Sequence, residues 1–418
     1  MDNADLKNSA EEWRDYYLKA RESLIPRDVP KLPSKKFAAA LIGIRRSGKT
    51  FCAIQMSLEI DPQQVFYYNF EDPLFSVGAG AKELDQLLNQ AEEYSTKKIE
   101  VLVLDEIQNV ENWEKWLRKK IDQQHYHIII TGSSAKLLSS ELATSLSGRC
   151  LEYRIWPLSL LEVGKFSNRS SKTKIERKSL LRQVMAWGSF PEVILEEDVG
   201  VKKKILEQYL TDILFKDVMS RHEIRHKRSL DQIINYYFTN PSSLHSYSAI
   251  KNAFGINTDT VGRYTLALSD AFLMFEVERY HANLKIQSRD AKKVYLIDPG
   301  LRSVISRSPN TDSGKILEGL IYIELLRRGK TVWYFKEERE VDFVITERYK
   351  VVGAIQVCAS NLSNEDTYQR EVAGLLECLQ KLDLEHGIII SQDREERIKR
   401  DGKVIQFIDA AKWLLASV

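Results

Sequence analysis

Four nearly unbroken apolar runs mark the first third of the chain: residues 37–42 (Phe-Ala-Ala-Ala-Leu-Ile), 65–70, 99–104 and 127–131. Each has the length of a strand, and none alternates polar with apolar as a half-exposed strand would. Strands buried on both faces belong to a parallel sheet covered by helices. The intervening residues agree, because 51–56, 81–93 and 113–123 read as helices, giving the strand–helix alternation of an α/β fold. In such sheets reactive groups gather at the carboxyl ends of the strands.

The rhythm then changes. A base-rich stretch, residues 165–182, reads as a loop from its serines and threonines and leads into a helical lid over 179–219. Three helices follow at 230–238, 247–254 and 258–268. Gly255-Ile256-Asn257 is the turn before the last of them, and Asn257 or Thr258 its cap. Strand-like stretches at 273–279 and 284–287 would form a wing. The final part predicts a helix over 317–328 and strands over 332–335, 341–345 and 354–358. The expected organisation is an N-terminal arm (1–30), a parallel-sheet domain (31–164), a basic linker with helical lid (165–228), a winged helix-turn-helix (229–290) and a last α/β domain (291–418). A chain of 418 residues can bury a core in each of several such units.

Candidate chemistry falls at the predicted strand ends. The first run enters Gly43-Ile44-Arg45-Arg46-Ser47-Gly48-Lys49-Thr50, a G-x-x-x-x-G-K-[ST] loop between strand and helix. Backbone N–H groups of such a loop curl around phosphate, and the helix N-terminus adds partial positive charge. Gly43, Arg45, Arg46, Ser47, Gly48, Lys49 and Thr50 are therefore the expected triphosphate-binding residues, with Lys49 reaching the terminal phosphates and the Thr50 hydroxyl placed for Mg²⁺. The third run ends in Asp105-Glu106. Asp105 is the natural partner of Thr50 on the metal, and Glu106 is placed to polarise an attacking water. The fourth ends in Thr131-Gly132-Ser133-Ser134, where Thr131 and Ser133 would face the γ-phosphate or that water.

The loop, Leu104-Asp105-Glu106-Ile107-Gln108, Thr131-Gly132-Ser133-Ser134, Leu146-Ser147-Gly148-Arg149 and Trp156-Pro157-Leu158-Ser159 together resemble the archaeal and bacterial AAA+-like ATPases. In that family the P-loop NTPase domain is followed by a winged helix and a restriction-endonuclease-like, PD-(D/E)XK domain. Gly188-Ser189-Phe190-Pro191-Glu192 and Val294-Tyr295-Leu296-Ile297-Asp298-Pro299-Gly300 add weaker likeness further on. The resemblance implies ATP as the nucleotide, an extra strand between loop and acids, and Glu106 as catalytic glutamate. It also makes Arg149 a candidate arginine finger, acting in its own chain or, in a homo-oligomer, on a neighbour; both stay open. No guanine-reading Asn-Lys-x-Asp occurs downstream of the loop.

Charge narrows the partners. Net charge is +2, so no global field draws the protein to nucleic acid, and any DNA surface must be local. The base-rich stretches 165–182 and 216–228 are candidates, as are Arg263 and Tyr264 on the outward face expected for the third helix. His222-Glu223-Ile224-Arg225-His226 spells a zinc-protease H-E-x-x-H, but the surrounding bases would repel a divalent cation, and we set it aside. Four scattered cysteines form no C-x-x-C pair, no apolar run nears the roughly 20 residues of a membrane span, and the acidic, polar start is unlike a signal peptide. A cytoplasmic protein is expected.

In the last domain, helix then strand with Asp then strand with a polar pair is the order of the PD-(D/E)XK fold. Glu318 and Asp342 match its carboxylates. Gln356-Val357-Cys358 stands where an E-x-K triplet would be, and a thiol cannot replace the lysine. Gln356 could still offer a carbonyl to a metal, and Lys336 or Lys350 could be a displaced lysine. Otherwise Glu318, Asp342 and Gln356 are a vestigial site. Three outputs follow: a DNA-acting motor or remodeller, a nucleotide-gated switch working through protein partners, or a nucleotide-dependent nuclease, which Gln356 and Cys358 argue against.

Overall fold

The computed structural model describes residues 3–75, 80–133, 146–281, 283, 287, 290–305, 313–359, 362, 364–392 and 394–416. The chain divides into two compact units, Met1–Trp156 and Pro157–Val418. Among the described residues no helix is long and apolar enough to cross a membrane.

The first unit holds five strands, β1 (Ala38–Ile42), β2 (Val65–Asn69), β3 (Val101–Asp105), β4 (His127–Gly132) and β5 (Cys150–Arg154). They form one sheet in the order β2-β3-β4-β1-β5, parallel throughout. β1 and β3 are buried along their whole length, as their unbroken apolar character requires. β4 lies between them, so the extra strand expected between loop and acids is present. Among the described residues, the unit also holds the α-helices α1 (Asn3–Glu22), α2 (Lys49–Met56), α3 (Ala81–Tyr94) and α4 (Trp113–Gln123).

The N-terminal arm is not a separate element. Leu6, Tyr17 and Ala20 of α1 are buried, and Trp13, Tyr16 and Tyr17 gather around Tyr67 of β2 with ring centroids 5.7–6.0 Å apart. The Trp13 indole N–H also donates to Asp72 at 2.7 Å. An amphipathic helix with three aromatics on one face has its reason to dock.

The second unit opens with α5 (Leu160–Phe166), α6 (Lys174–Trp187), α7 (Pro191–Leu195) and α8 (Val199–Asp212), the last running into a π-helical turn, Ile213–Ser220. The base-rich stretch is thus only partly loop. Thr173 and Glu176 form a reciprocal capping box, and this local signal starts a helix at Lys174 despite the charge around it. His222 and His226 lie outside any helix, with Glu223 at φ 50°, so they share no helix face. The zinc pattern has no geometric basis.

Then come α9 (Lys227–Thr239), β6 (Leu244–His245), α10 (Tyr247–Phe254), α11 (Thr258–Asp270), β7 (Met274–Val277) and β8 (Lys292–Leu296). Asn257 caps α11, its side chain accepting from Asp259 N–H at 3.0 Å. The antiparallel partner of β7 is β8, not residues 284–287, of which 284–286 lie outside the described residues. β8 also pairs with β6, so a boundary at 290/291 would cut a three-stranded sheet. Tyr264 is fully buried rather than outward, whereas Arg263 is exposed.

α12 (Pro299–Ile305) and α13 (Ser313–Arg327) lead to a six-stranded mixed sheet. Its strands are β9 (Thr331–Lys336), β10 (Glu340–Glu347), β11 (Lys350–Cys358), β12 (His386–Ser391), β13 (Glu396–Arg400) and β14 (Lys403–Asp409). Their spatial order is β13-β14-β12-β11-β10-β9. α14 (Glu365–Lys381) packs on this sheet, burying Val372, Leu375 and Leu379, and α15 (Ala410–Leu415) ends the chain.

Candidate functional site

The carboxyl ends of β1, β3 and β4 bring the phosphate-loop residues and the acids together. Register places Leu41 opposite Thr131 and Leu104 opposite Ile130, so Asp105 and Thr131 stand level with one another and the loop begins two residues beyond them, at Gly43. Gly43 has φ +150°, and a methyl group there would lie 2.2 Å from the Ile155 carbonyl oxygen. Only glycine lets β1 turn into the loop against that neighbouring backbone. From outside, Arg27 pins the loop, donating to the Ser47 carbonyl at 2.6 Å and the Trp156 carbonyl at 3.0 Å. Gln55 of α2 exchanges two hydrogen bonds with the Arg27 main chain.

Lys49 is buried and its Nζ donates to the carbonyls of Gly43 and Ile44, at 3.1 Å each. Thr50 Oγ1 donates to Asp105 Oδ2 at 2.7 Å, so the hydroxyl and carboxylate expected to share Mg²⁺ are side by side. Two oxygen donors of this kind, with no sulfur or imidazole, suit a hard cation that keeps several waters. The Asp105 carboxylate also accepts from Tyr67 OH at 3.1 Å and from Thr131 Oγ1. Thr131 in turn accepts the Glu106 N–H at 3.0 Å. Thr131 therefore holds the two acids in place, a role the sequence did not suggest. Ser133 is buried beside them.

Glu106 takes a left-handed backbone conformation, φ 52°. Its carboxylate accepts from the Gln108 side-chain amide and is 8% exposed. Burial raises the pKa of Glu106, opposed by the charge of Lys49 and augmented by that of Asp105. Burial likewise raises Asp105 against its hydrogen bonds to Thr131 and Thr50. Two acids in one dry pocket need the lysine to stay ionised together. Arg45 is tied to Glu71 at 2.7 Å, and Arg46 sits at φ 70° at the crest of the loop.

Arg149 is not brought to this site. Its carbonyl accepts from Ala38 N–H at the start of β1, and its guanidinium bonds Asp122 of α4 at 2.8 Å. The length of β1, about 13 Å at strand rise, separates that point from the loop. This placement sets the Arg149 guanidinium on Asp122, away from the loop of its own chain.

The sequence pattern does not single out Tyr67, Gln108 or Arg27 as part of the site. Tyr67 is one aromatic in an apolar strand, Arg27 one base in a loop, and nothing in their spacing marks them. Gln108 lies in the quoted Asp-Glu-Ile-Gln segment and was the one with a signal.

In the second unit, Glu318 of α13, Asp342 of β10 and Gln356 of β11 do converge, but around a lysine. Lys293 of β8 donates to Glu318 and Asp342 at 2.9 Å each and lies 2.8 Å from Glu340. Tyr295 OH donates to Glu318 at 2.7 Å. Gln356 is not free for a metal, because its carbonyl accepts from Asp342 N–H and its amide donates to Glu371 at 2.7 Å. Neither Lys336 nor Lys350 holds the central position: Lys336 is exposed and reaches only the second oxygen of Glu340, at 3.7 Å, and Lys350 is exposed at the start of β11.

Comparison with known proteins agrees with the first unit. An AAA-domain family matches residues 35–164, and a domain of unknown function (DUF8612) matches 178–312. The uncharacterized protein MJ1544 of Methanocaldococcus jannaschii is 34% identical over 410 residues, spanning 93% of this chain and 90% of its own. An uncharacterized Haemophilus influenzae protein is 30% identical, spanning 91% and 94%. Among solved structures, the Aeropyrum pernix ORC1 protein in complex with DNA covers 73% of this chain and 92% of its own at 13% identity and TM-score 0.31. AMPPCP-bound DnaA from Aquifex aeolicus covers 61% and 86% at 16% identity and TM-score 0.26. Scores this low do not establish a common overall fold.

Proposed function

This chain, which carries an AAA domain over residues 35–164, belongs to one family with the M. jannaschii and H. influenzae relatives, and from that premise we propose that it is a Mg²⁺-dependent ATPase whose turnover is coupled to action on DNA. The observation that carries the ATPase reading is the convergence of Lys49, Thr50, Asp105 and Glu106 at the carboxyl ends of β1 and β3, with Thr50 and Asp105 already in contact. Mg²⁺ held by Thr50 and Asp105 would neutralise charge on the β- and γ-phosphates.

The remaining work falls to side chains. Lys49 exchanges its bonds to the Gly43 and Ile44 carbonyls for phosphate oxygens, which offer its charge a stronger partner. Glu106, ionised, orients the attacking water and accepts its proton. Gln108 and Thr131 fix Glu106 from side chain and main chain, so little reorganisation is needed at the moment of attack. Arg149 would complete a site only across a boundary between copies of the chain.

DNA coupling rests on the α9–α11 helices with their small sheet, which we read as a winged helix, and on exposed bases. Arg263 projects from α11, while Arg225, Lys227 and Arg228 cluster exposed at the start of α9. Phosphate contacts of this kind favour nucleic acid without specifying sequence. The test is ATP turnover alone and with single-stranded, duplex and branched DNA, beside Lys49→Ala and Glu106→Gln. Stimulation by one DNA form, absent in both variants, is expected. Slow turnover indifferent to every DNA would leave a nucleotide-gated switch as the account.

A further inference from the structure

Lys293 is 2% exposed, a rare state for a lysine unless its charge is paired. Here it is paired three times over. Its ammonium sits 2.8–2.9 Å from carboxylate oxygens of Glu318, Asp342 and Glu340, which come from two separate elements of the second unit. Three carboxylate oxygens converging on one cationic centre resemble the oxygen donor set of a hard cation, although with the ammonium in place they are not drawn in to the distance of about 2.3–2.6 Å that Ca²⁺ needs.

Further hydrogen bonds hold the cluster in place. Asp342 Oδ2 accepts the Val357 N–H at 2.9 Å, and Asp342 N–H is taken by the Gln356 carbonyl at 3.1 Å. Tyr295 OH caps Glu318, and its ring stacks on Tyr322 with centroids 4.3 Å apart, which closes that side with apolar surface. Lys293 comes from β8, whose neighbours Val294 and Tyr295 are buried, so the stem of the side chain is held as firmly as its head. A metal entering the cluster would have to displace an ammonium that is itself buried.

We infer that Lys293 is a built-in cation that closes the Glu318–Asp342–Glu340 cluster to divalent metals, and that removing its ammonium uncovers a latent divalent-cation site there. With Lys293 in place, this cluster then supports no metal-dependent hydrolysis of a nucleic acid bound near it. This stands apart from the ATPase reading, since it concerns a different unit and a different set of side chains.

The experiment is a Mn²⁺ titration followed by electron paramagnetic resonance on the full chain, without nucleotide. An Asp105→Asn background removes any contribution from the nucleotide site. The expected result is no bound Mn²⁺ at sub-millimolar concentration in that background, and one bound ion, at least tenfold tighter, once Lys293→Ala is added. Adding Asp342→Asn to the pair should abolish the gain. Lys293→Gln, which restores donors but not charge, serves where Lys293→Ala does not fold. Two outcomes would overturn the inference: a stoichiometric ion bound with Lys293 intact and lost in Asp342→Asn, or a folded Lys293 variant that binds no more Mn²⁺ than its parent. Mg²⁺- or Mn²⁺-dependent cleavage of DNA by the wild-type chain, lost in Asp342→Asn, would overturn it equally.

Discussion

Gly188→Ala should be among the most damaging single-methyl additions in the second unit. Gly188 ends α6 with φ 75° and ψ −162°, and the added carbon would fall 1.7 Å from Asp298 Oδ1 and 2.5 Å from its Cγ. Asp298 cannot simply swing aside. It is fully buried and accepts hydrogen bonds from Ser189 N–H at 2.7 Å, Ser189 Oγ at 3.1 Å and Gly300 N–H at 2.7 Å. The backbone conformation, nearly reserved to glycine, costs alanine about 1–3 kcal/mol. Losing two of the carboxylate's hydrogen bonds adds about 1.5–3 kcal/mol each, so the sum starts near 4 kcal/mol. Gly255→Ala is the control, because Gly255 also has positive φ, 71°, yet nothing lies within 4 Å of the added methyl. It should cost only the left-handed penalty, about 1–2 kcal/mol. Native-state hydrogen exchange in α6 and α12 reads the second unit by itself. Equal losses of protection in the two variants, or less than about 1.5 kcal/mol for Gly188→Ala, would refute the argument that the Gly188–Asp298 contact organises this region.

Glu106→Gln should lower ATP turnover about 10²- to 10⁴-fold while nucleotide affinity, measured by calorimetry, is retained. Because burial raises the pKa of Glu106, the acid limb of the wild-type rate profile should lie above the ordinary glutamate value of 4.5. Gln108→Ala should lower the rate less than Glu106→Gln and shift that limb further up, since the amide bond favours the ionised carboxylate; an unshifted limb would remove Gln108 as a positioning residue. Burial pushes Asp298 from 3.8 up to about 6, so between those values the native state holds the extra proton. Stability of the second unit should therefore fall as pH rises through that window and level off above it, and Asp298→Asn should flatten the slope in urea titrations. Turnover per chain should rise with protein concentration if Arg149 acts between copies, and the rise should vanish in Arg149→Ala.

The sequence by itself determined whatever rests on local pattern. Unbroken apolar runs named the parallel strands, the Gly43–Thr50 spacing named the loop, and Asp105-Glu106 at a strand end named the acids. Each signal is contained within a dozen residues, and the parallel fold aligns strand ends without further instruction. The Tyr247–Phe254 helix was legible for the same reason, bounded by Ser246 and Gly255. Local signals also misled where a stronger one went unread, as when the Thr173–Glu176 box made helix out of a base-rich stretch. Only the tertiary structure decided what depends on strand order and register. It carried Arg149 to the far end of β1, paired β7 with β8, turned Tyr264 inward and placed Lys293 among carboxylates 25 and 49 residues away. It also gave Tyr67 and Thr131 their hold on Asp105. No spacing rule reaches such pairs, because long-range contact is set by how whole elements pack, and a charge finds its partner only once the sheet has closed around it.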